Sequence, residues 1–225
     1  FDSDGNLWLS DRNNHRVLKY PAANLATGGA ATVALGQSGL TSKSTGNTAT
    51  TLDAPRGLTF DSSGNLWVVD GNNQRVLKYP AANLATGGAA TVVLGQTDFT
   101  SSVQGVTATT MKNSTNLITG ITFDSSGDLW LADTGNSRVL KYPETNLVTG
   151  GAATVALGQA DLTSDAKGTT ATTLINATSV TFDSSGNLWV ADKGNSRILK
   201  YPAANLATGG AATVALGQTD LTSND

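Results

Sequence analysis

One line is written four times along this chain. It reads FDSSGNLWVVDGNNQRVLKYP from Phe60, and versions of it begin at Phe1, Phe123 and Phe182. The four tryptophans, Trp8, Trp67, Trp130 and Trp189, hold the same place in each copy, at spacings of 59, 63 and 59 residues. A fixed period of this size points to a propeller, a solenoid or an array, in which each unit buries its apolar face against the next. Residues 21 to 37 and 202 to 218 are identical over 17 positions. That suggests recent internal duplication, with the same side chains doing the same job in every unit.

The second unit is complete and reads as four short strands. Gly57 to Phe60 is the first, followed by a hairpin turn at Asp61-Ser62-Ser63-Gly64-Asn65. Asp and Ser side chains bond to nearby backbone, and Gly takes positive φ cheaply, so this is turn chemistry. Leu66 to Val69 is the second strand, rich in aromatic and β-branched residues. A tight turn at Asp70 to Gln74 leads to a third strand, Arg75 to Tyr79, stopped by Pro80, which cannot donate to a ladder. Ala81 to Gly88 reads as a loop with room for one helical turn, and Ala90 to Leu94 as the fourth strand. Four strands joined by hairpins are the content of one propeller blade. The expectation is one all-β array of four-stranded antiparallel blades over residues 1–225, with units at about 1–42, 43–101, 102–164 and 165–225.

Between units run polar connectors. Each carries Thr-Ala-Thr-Thr followed by Leu or Met, at residues 48–52, 107–111 and 170–174. The apolar residue reads as a pin that holds a surface loop. Loops of this length often carry function, so the connectors are a place to look for binding. The first unit lacks its leading strand, and the opening at Phe1, inside a repeat and without Met, reads as a mature product or an excerpt of something longer.

Composition limits the function classes. Charged residues are 14% of the chain and the net charge is −3, against about a quarter charged in ordinary globular proteins. No basic patch suited to nucleic acid is present, and no apolar run approaches the roughly 20 residues of a membrane span. The chain has no cysteine, which excludes disulfides, thiolate metal sites and cysteine nucleophiles.

The pattern D-x-x-G-N-L-W-V-x-D-x-x-N-x-R-V-L-K-Y resembles the NHL repeat. Asp61, Gly64, Asn65, Asp70, Asn73, Arg75 and Val76 match it in the second unit, and Asp124, Gly127, Asp133, Asn136, Arg138 and Val139 in the third. The resemblance implies a β-propeller, commonly of six blades. It implies little about activity, because the family spans protein-binding, RNA-binding and enzymatic members. The long connectors with an L-G-Q-x-D-F-T-S-like phrase resemble bacterial and archaeal secreted or surface members of the family.

Several side chains are candidates for a site. Asp11, Asp70, Asp133 and Asp192 each close a second strand, and Arg16, Arg75, Arg138 and Arg197 follow five residues later. They read either as a rim of carboxylates for a cation or as an Asp–Arg network that holds each turn, and one Arg per Asp favours the network. The tryptophans read as core between blades rather than as a stacking platform for sugars or peptides. Tyr20, Tyr79, Tyr142 and Tyr201 read as core with a hydroxyl reaching out. His15, the one histidine, reads as an exposed turn residue, since the other units place Gln74, Ser137 and Ser196 there. Asn113 and Asn176 begin glycosylation acceptor triplets. No Ser-His-Asp set, phosphate loop or His pair stands out, so neither catalytic, cofactor nor metal residues are expected.

The functional expectation is therefore a non-enzymatic module, extracellular or at a cell surface, that binds a protein or glycan partner through rim loops and connectors. Two alternatives stand beside it. One is a fragment of a propeller lyase or lactonase whose catalytic blades lie elsewhere. The other is a self-assembling subunit of a ring or filament, paired with further copies of itself. Neither a nucleic-acid partner nor membrane insertion is expected.

Overall fold

The computed structural model describes residues 1–112 and 120–224. It is built of antiparallel sheets whose strands lie in chain order. The first sheet has three strands, β1 (Leu7–Asp11), β2 (Arg16–Tyr20) and β3 (Val33–Leu35). The second has β4 (Pro55–Phe60), β5 (Leu66–Asp70), β6 (Arg75–Tyr79) and β7 (Val92–Leu94). The third has β8 (Ile121–Phe123), β9 (Leu129–Asp133), β10 (Arg138–Tyr142) and β11 (Val155–Leu157). The fourth has β12 (Ala177–Phe182), β13 (Leu188–Asp192), β14 (Arg197–Tyr201) and β15 (Val214–Leu216).

Local chemistry explains the strand limits. The tight turn after β5 is a 3-10 turn over Gly71–Asn73, closed by Gln74 at φ 55. The same left-handed corner falls on His15, Ser137 and Ser196 in the other sheets. The segment after Pro80 begins with a second 3-10 turn, Ala81–Asn83. The fourth strand is shorter than its sequence suggests, starting at Val92 rather than Ala90, because Ala90 is drawn off to donate to the Ala49 carbonyl of the connector. The first strand is longer, since β4 already pairs Pro55 with Asp70. Between Pro55 and Leu58 its register slips in a β-bulge, and β12 carries another between Ala177 and Ser179.

The sheets stack as blades. First strands touch one another, β4 against β8 and β8 against β12, so they form the inner ends of the blades. The outer edge strands of the first three sheets are covered by the following unit: Ala34 of β3 donates to Thr86 Oγ1 at 3.1 Å, Val93 of β7 to Thr149 Oγ1 at 3.4 Å, and Ala156 of β11 to Thr208 Oγ1 at 3.1 Å. Such cover blunts an edge that would otherwise pair with another chain.

The core lies between blades, not within one. Trp8, Val17, Leu35 and Leu52 pack on Leu66, Val68, Leu77 and Tyr79 of the next sheet. The second and third interfaces repeat this arrangement around Trp67 and Trp130. Each of these tryptophans meets a phenylalanine of the following unit edge to face, with Trp8–Phe60 centroids 6.0 Å apart, Trp67–Phe123 5.9 Å and Trp130–Phe182 5.8 Å. Such pairs contribute about 0.5–1.5 kcal/mol beyond their buried area.

Candidate functional site

The blades have two rims, and the sequence builds them differently. One rim carries the 3-10 turns after the second strands, together with the connectors. There Arg75 Nε donates to Asp70 Oδ2 at 2.8 Å, and both side chains are fully buried. Arg75 Nη2 donates to the Thr48 and Thr51 carbonyls at 3.0 and 3.1 Å, and Nη1 to Asn47 at 2.9 Å. A further Nη1 bond reaches the Phe99 carbonyl. Asn73 Nδ2 bridges Asp70 Oδ2 and the Gly46 carbonyl, each at 2.8 Å. Asp133–Arg138 and Asp192–Arg197 repeat the geometry at 2.7 and 2.8 Å with fully buried side chains. Asp11–Arg16, at 2.7 Å, is partly exposed. Burial pushes the Asp70 carboxyl up to about 6 against the pull of Arg75, and pushes Asp133 up as well. Arg75, Arg138 and Arg197 thus each tie their own turn to the connector of their unit, so their partner carboxylates are consumed by the fold.

Two further devices fasten this rim. Leu52, Met111 and Leu174 are buried, each over a glycine of the preceding unit. A Cβ at Gly36 would lie 2.5 Å from Leu52 Cδ1, and one at Gly158 2.5 Å from Leu174 Cδ1. The glutamine after that glycine clamps the loop beyond it: Gln96 Nε2 donates to the Gln74 and Val103 carbonyls at 3.1 and 2.8 Å, and Gln159 Nε2 to Ser137 and Ala166 at 3.0 and 2.7 Å. Sequence reasoning missed the glutamines, although L-G-Q recurs in all four units.

The opposite rim carries the D-S-S-G hairpins and the P-A-A-N 3-10 turns. Here the tryptophan indoles are anchored to the hairpin aspartates. Trp8 Nε1 donates to Asp2 at 2.9 Å, Trp67 to Asp61 at 3.0 Å, Trp130 to Asp124 at 2.8 Å and Trp189 to Asp183 at 3.0 Å. Burial works to raise Asp2, but hydrogen bonds from Trp8 and Asn6 outweigh it and hold that carboxyl at about 2. Lys19, Lys78, Lys141 and Lys200 lie over the four indole rings at 5.4 to 5.6 Å from their centroids.

Between successive hairpins lies a groove, and it recurs three times. The first, of about 510 Å³, runs between Asp2-Ser3-Asp4 and Phe60 to Gly64. The second, of about 560 Å³, runs between Asp61-Ser62-Ser63 and Phe123 to Gly127. The third, of about 540 Å³, runs between Asp124-Ser125-Ser126 and Phe182 to Gly186. Each has a half-buried Phe and a Leu (Leu84, Leu147 or Leu206) on one wall, with Ser hydroxyls and carboxylates around it. Glu144 adds an acid to the second groove where the other units have Ala.

Other sequence candidates fall as follows. His15 is not a freely exposed turn residue. It is half-buried, accepts from the Ala54 amide at 3.1 Å on Nδ1 and lies 3.1 Å from Asp53 Oδ1, so it bridges the first blade to the second connector. The hydroxyls of Tyr79, Tyr142 and Tyr201 do not reach out; they are buried without a hydrogen-bond partner, because each ring ends inside an inter-blade core. Asn176 is half-buried in a left-handed corner at φ 54, whereas Asn113 lies outside the described residues. Among the described residues no group of three or more His, Cys, Asp or Glu could hold a metal ion.

Comparison with known proteins places this geometry. The NHL repeat model matches residues 52–79, 115–142 and 174–201. No curated protein matches the sequence. Among solved structures the chain is similar to a streptogramin B lyase, with a TM-score of 0.57 and 15% identity over 96% of this chain and 52% of that one. It is similar to virginiamycin B lyase from Staphylococcus aureus, with a TM-score of 0.56 and 14% identity over 98% of this chain and 54% of that one. The dihydro-heme d1 dehydrogenase NirN gives a TM-score of 0.53 and 12% identity over 98% of this chain and 36% of that one. The chain thus spans about half the length of the lyases it matches. At these identities the likeness is one of fold. The chain thus carries NHL repeats at three positions, each with its own Asp–Arg turn, in a stack of antiparallel blades.

Proposed function

We propose that this chain is a non-enzymatic binding scaffold at a cell surface or in the extracellular space, holding a glycan chain along its D-S-S-G rim. The observation that carries the reading is the threefold groove, at about 510, 560 and 540 Å³, built each time from the same Phe, Leu, Ser and Asp positions. A recurring groove suits a ligand that itself recurs. A half-buried aromatic ring offers an apolar wall for a sugar face, and hydroxyls and carboxylates answer its hydroxyls. Each groove alone binds weakly; linked sites gain by effective concentration.

Calorimetric titration with polysaccharide fragments of rising length tests this. Affinity should climb with fragment length until the grooves are spanned. Ser125→Trp and Ser184→Trp, on exposed hairpin positions, should plug two grooves and remove the length dependence. No binding across a glycan panel, or binding indifferent to both plugs, refutes the reading. A protein ligand sensitive to the same plugs would move the partner class and keep the site.

The lyase-like fold supports the rival, a propeller enzyme fragment, and turnover of a lyase or lactone substrate by the chain would favour it. Self-assembly with further copies rests on a different observation. Ile198 and Leu216 on the fourth sheet are 44% and 49% exposed, where the matching Val76, Leu94, Val139 and Leu157 are fully buried. Phe1 is 72% exposed, and its match Phe60 is the ring that meets Trp8. Docking of one copy's Phe1 face on another's Ile198 face would cover both. Light scattering that shows a monomer, unchanged by Ile198→Lys, counts against it.

A further inference from the structure

Arg56 stands apart from every other cation described above. It lies on the β-bulge of β4, where Pro55 pairs with Asp70 and Leu58 with Val68, so the strand holds residues beyond its ladder. Bulges re-aim side chains at such places. The Arg56 carbonyl accepts a hydrogen bond from Ser10 Oγ of the first blade, which fixes the bulge at the junction of two blades. Its side chain crosses the turn of its own blade, so that a Cβ at Gly71 would lie 2.8 Å from Arg56 Nε. Nε and Nη2 are buried, and neither has a hydrogen-bond partner.

Those two nitrogens are the side-on pair of a guanidinium, the edge that takes two oxygens of one carboxylate or phosphate at once. A second cation lies close by. Arg12, at the matching turn of the first blade, is exposed and makes a contact of 3.5 Å to Asn13 Oδ1. Burial, and then the charge of Arg12, hold the Arg56 pKa below its usual value. The carboxylates of these turns are engaged elsewhere: Asp11 by Arg16 at 2.7 Å, Asp70 by Arg75 at 2.8 Å, and Asp53 by Asn72 Nδ2 at 3.0 Å and His15. Two neighbouring guanidiniums, one with orphaned inner donors, thus lack a counter-charge from these turns. A buried donor without a partner costs about 1–3 kcal/mol, more for a charged group, so an arrangement that keeps one is completed from outside the chain.

We propose that Arg56 and Arg12 form a binding site for a small oxyanion, a carboxylate or phosphate group, at the inner end of the junction between the first and second blades. Arg56 takes the two oxygens on its side-on edge, and Arg12 supplies the second positive charge. The site is unit-specific. At the place of Arg56 the fourth unit has Thr178, and at the place of Arg12 the second unit has Gly71. This site lies on the connector rim, opposite the grooves of the glycan reading, and is independent of them.

The test uses inorganic phosphate and sodium acetate against chloride at matched ionic strength, with thermal unfolding as the readout. At about tenfold the Kd, a site on a chain of this size raises the midpoint by about 3–6 °C. Phosphate, acetate or both should give this rise and saturate, and the two salts separate phosphate from carboxylate preference. Arg56→Thr, which installs the residue of a sister unit, should abolish the rise; Arg12→Gly should shrink it several-fold. Equal midpoints in all three salts overturn the proposal, and so does a rise that survives Arg56→Thr. If Arg56→Thr fails to fold, the exposed Arg12→Gly change decides, and an undiminished rise there overturns it.

Discussion

Removing Arg138 is the sharpest perturbation of this fold. Its Nε donates to Asp133 at 2.7 Å, Nη1 to the Leu162 carbonyl at 2.6 Å, and Nη2 to Thr107 and Thr110 at 2.8 and 3.2 Å. Arg138 and Asp133 are fully buried. Arg138→Met keeps much of the apolar stem and leaves Asp133 as an uncompensated buried charge. Breaking such a pair costs about 3–5 kcal/mol, against a total of about 5–15 kcal/mol for a folded protein. With a urea m value of about 3 kcal/mol/M, the midpoint should fall by about 1–1.7 M. The loss should depend on pH in a stated sense. Burial already pushes Asp133 up, and without Arg138 the folded carboxyl holds its proton more tightly than the unfolded one. A folded pKa raised in this way adds stability at low pH that is lost as pH rises through it. The variant should therefore lose more at pH 8 than at pH 5. Arg16→Met, at a partly exposed pair, should cost no more than about 1 kcal/mol. A fall of less than about 0.3 M for Arg138→Met, or equal losses at the two pH values, refutes the claim that these pairs clamp the connectors.

Other expectations follow from the same rims. Leu174→Ala empties a fully buried place and should cost about 2–5 kcal/mol in urea unfolding; Gly158→Ala, at φ +86 and 2.5 Å from Leu174 Cδ1, should also destabilise. Ser196 is exposed in a left-handed corner at φ 50, so Ser196→Gly should stabilise by about 0.5–1 kcal/mol and raise the melting midpoint. The pH profile has two limbs. Asp98 and Asp220 are held at about 2 by hydrogen bonds from Thr100 and Thr222, as Asp2 is by Trp8 and Asn6 against its burial. Carboxyls depressed in the fold add stability above their unfolded value that is lost as pH falls through the folded one, between about 4 and 2. Asp70, raised by burial to about 6, works the other way between about 4 and 6. The urea midpoint should hold or rise slightly from pH 6 to 4 and then fall toward pH 2; a steady fall from pH 6 refutes the assignment.

Much of the blade was legible before any coordinates. Period, turn chemistry and strand patterning placed β5 and β6 to within a residue, because those strands are bounded by side chains with strong local preferences. What failed was decided across units. The Ala90 amide leaves its strand to meet Ala49, and the hydroxyl of Tyr79 ends in a neighbour's core. His15 is occupied by Ala54 and Asp53, 39 and 38 residues away in sequence, the first by hydrogen bond and the second at 3.1 Å. No local window contains such partners. The grooves were equally invisible, since each is shared by two hairpins about 60 residues apart whose individual sequences read only as turns.

Recurrence now has to be read in two ways. Where a repeated side chain is consumed inside its unit, as Asp70, Arg75 and Asn73 are, its repetition reports a requirement of the blade and argues against a unique site. Where a repeated side chain stays at the surface between two units, as Ser62, Ser125 and Ser184 do, repetition multiplies a weak surface into a periodic one. The residues that differ between units form a third class. Arg56 and Arg12 replace Thr178 and Gly71 of sister units, and the bulge holds the first of them with its donors unmet. A substitution that leaves buried guanidinium donors unpaired is costly unless something binds them. The repeats therefore act as a reference against which such a residue stands out, and that comparison, rather than any motif, is what directs attention to the junction of the first two blades.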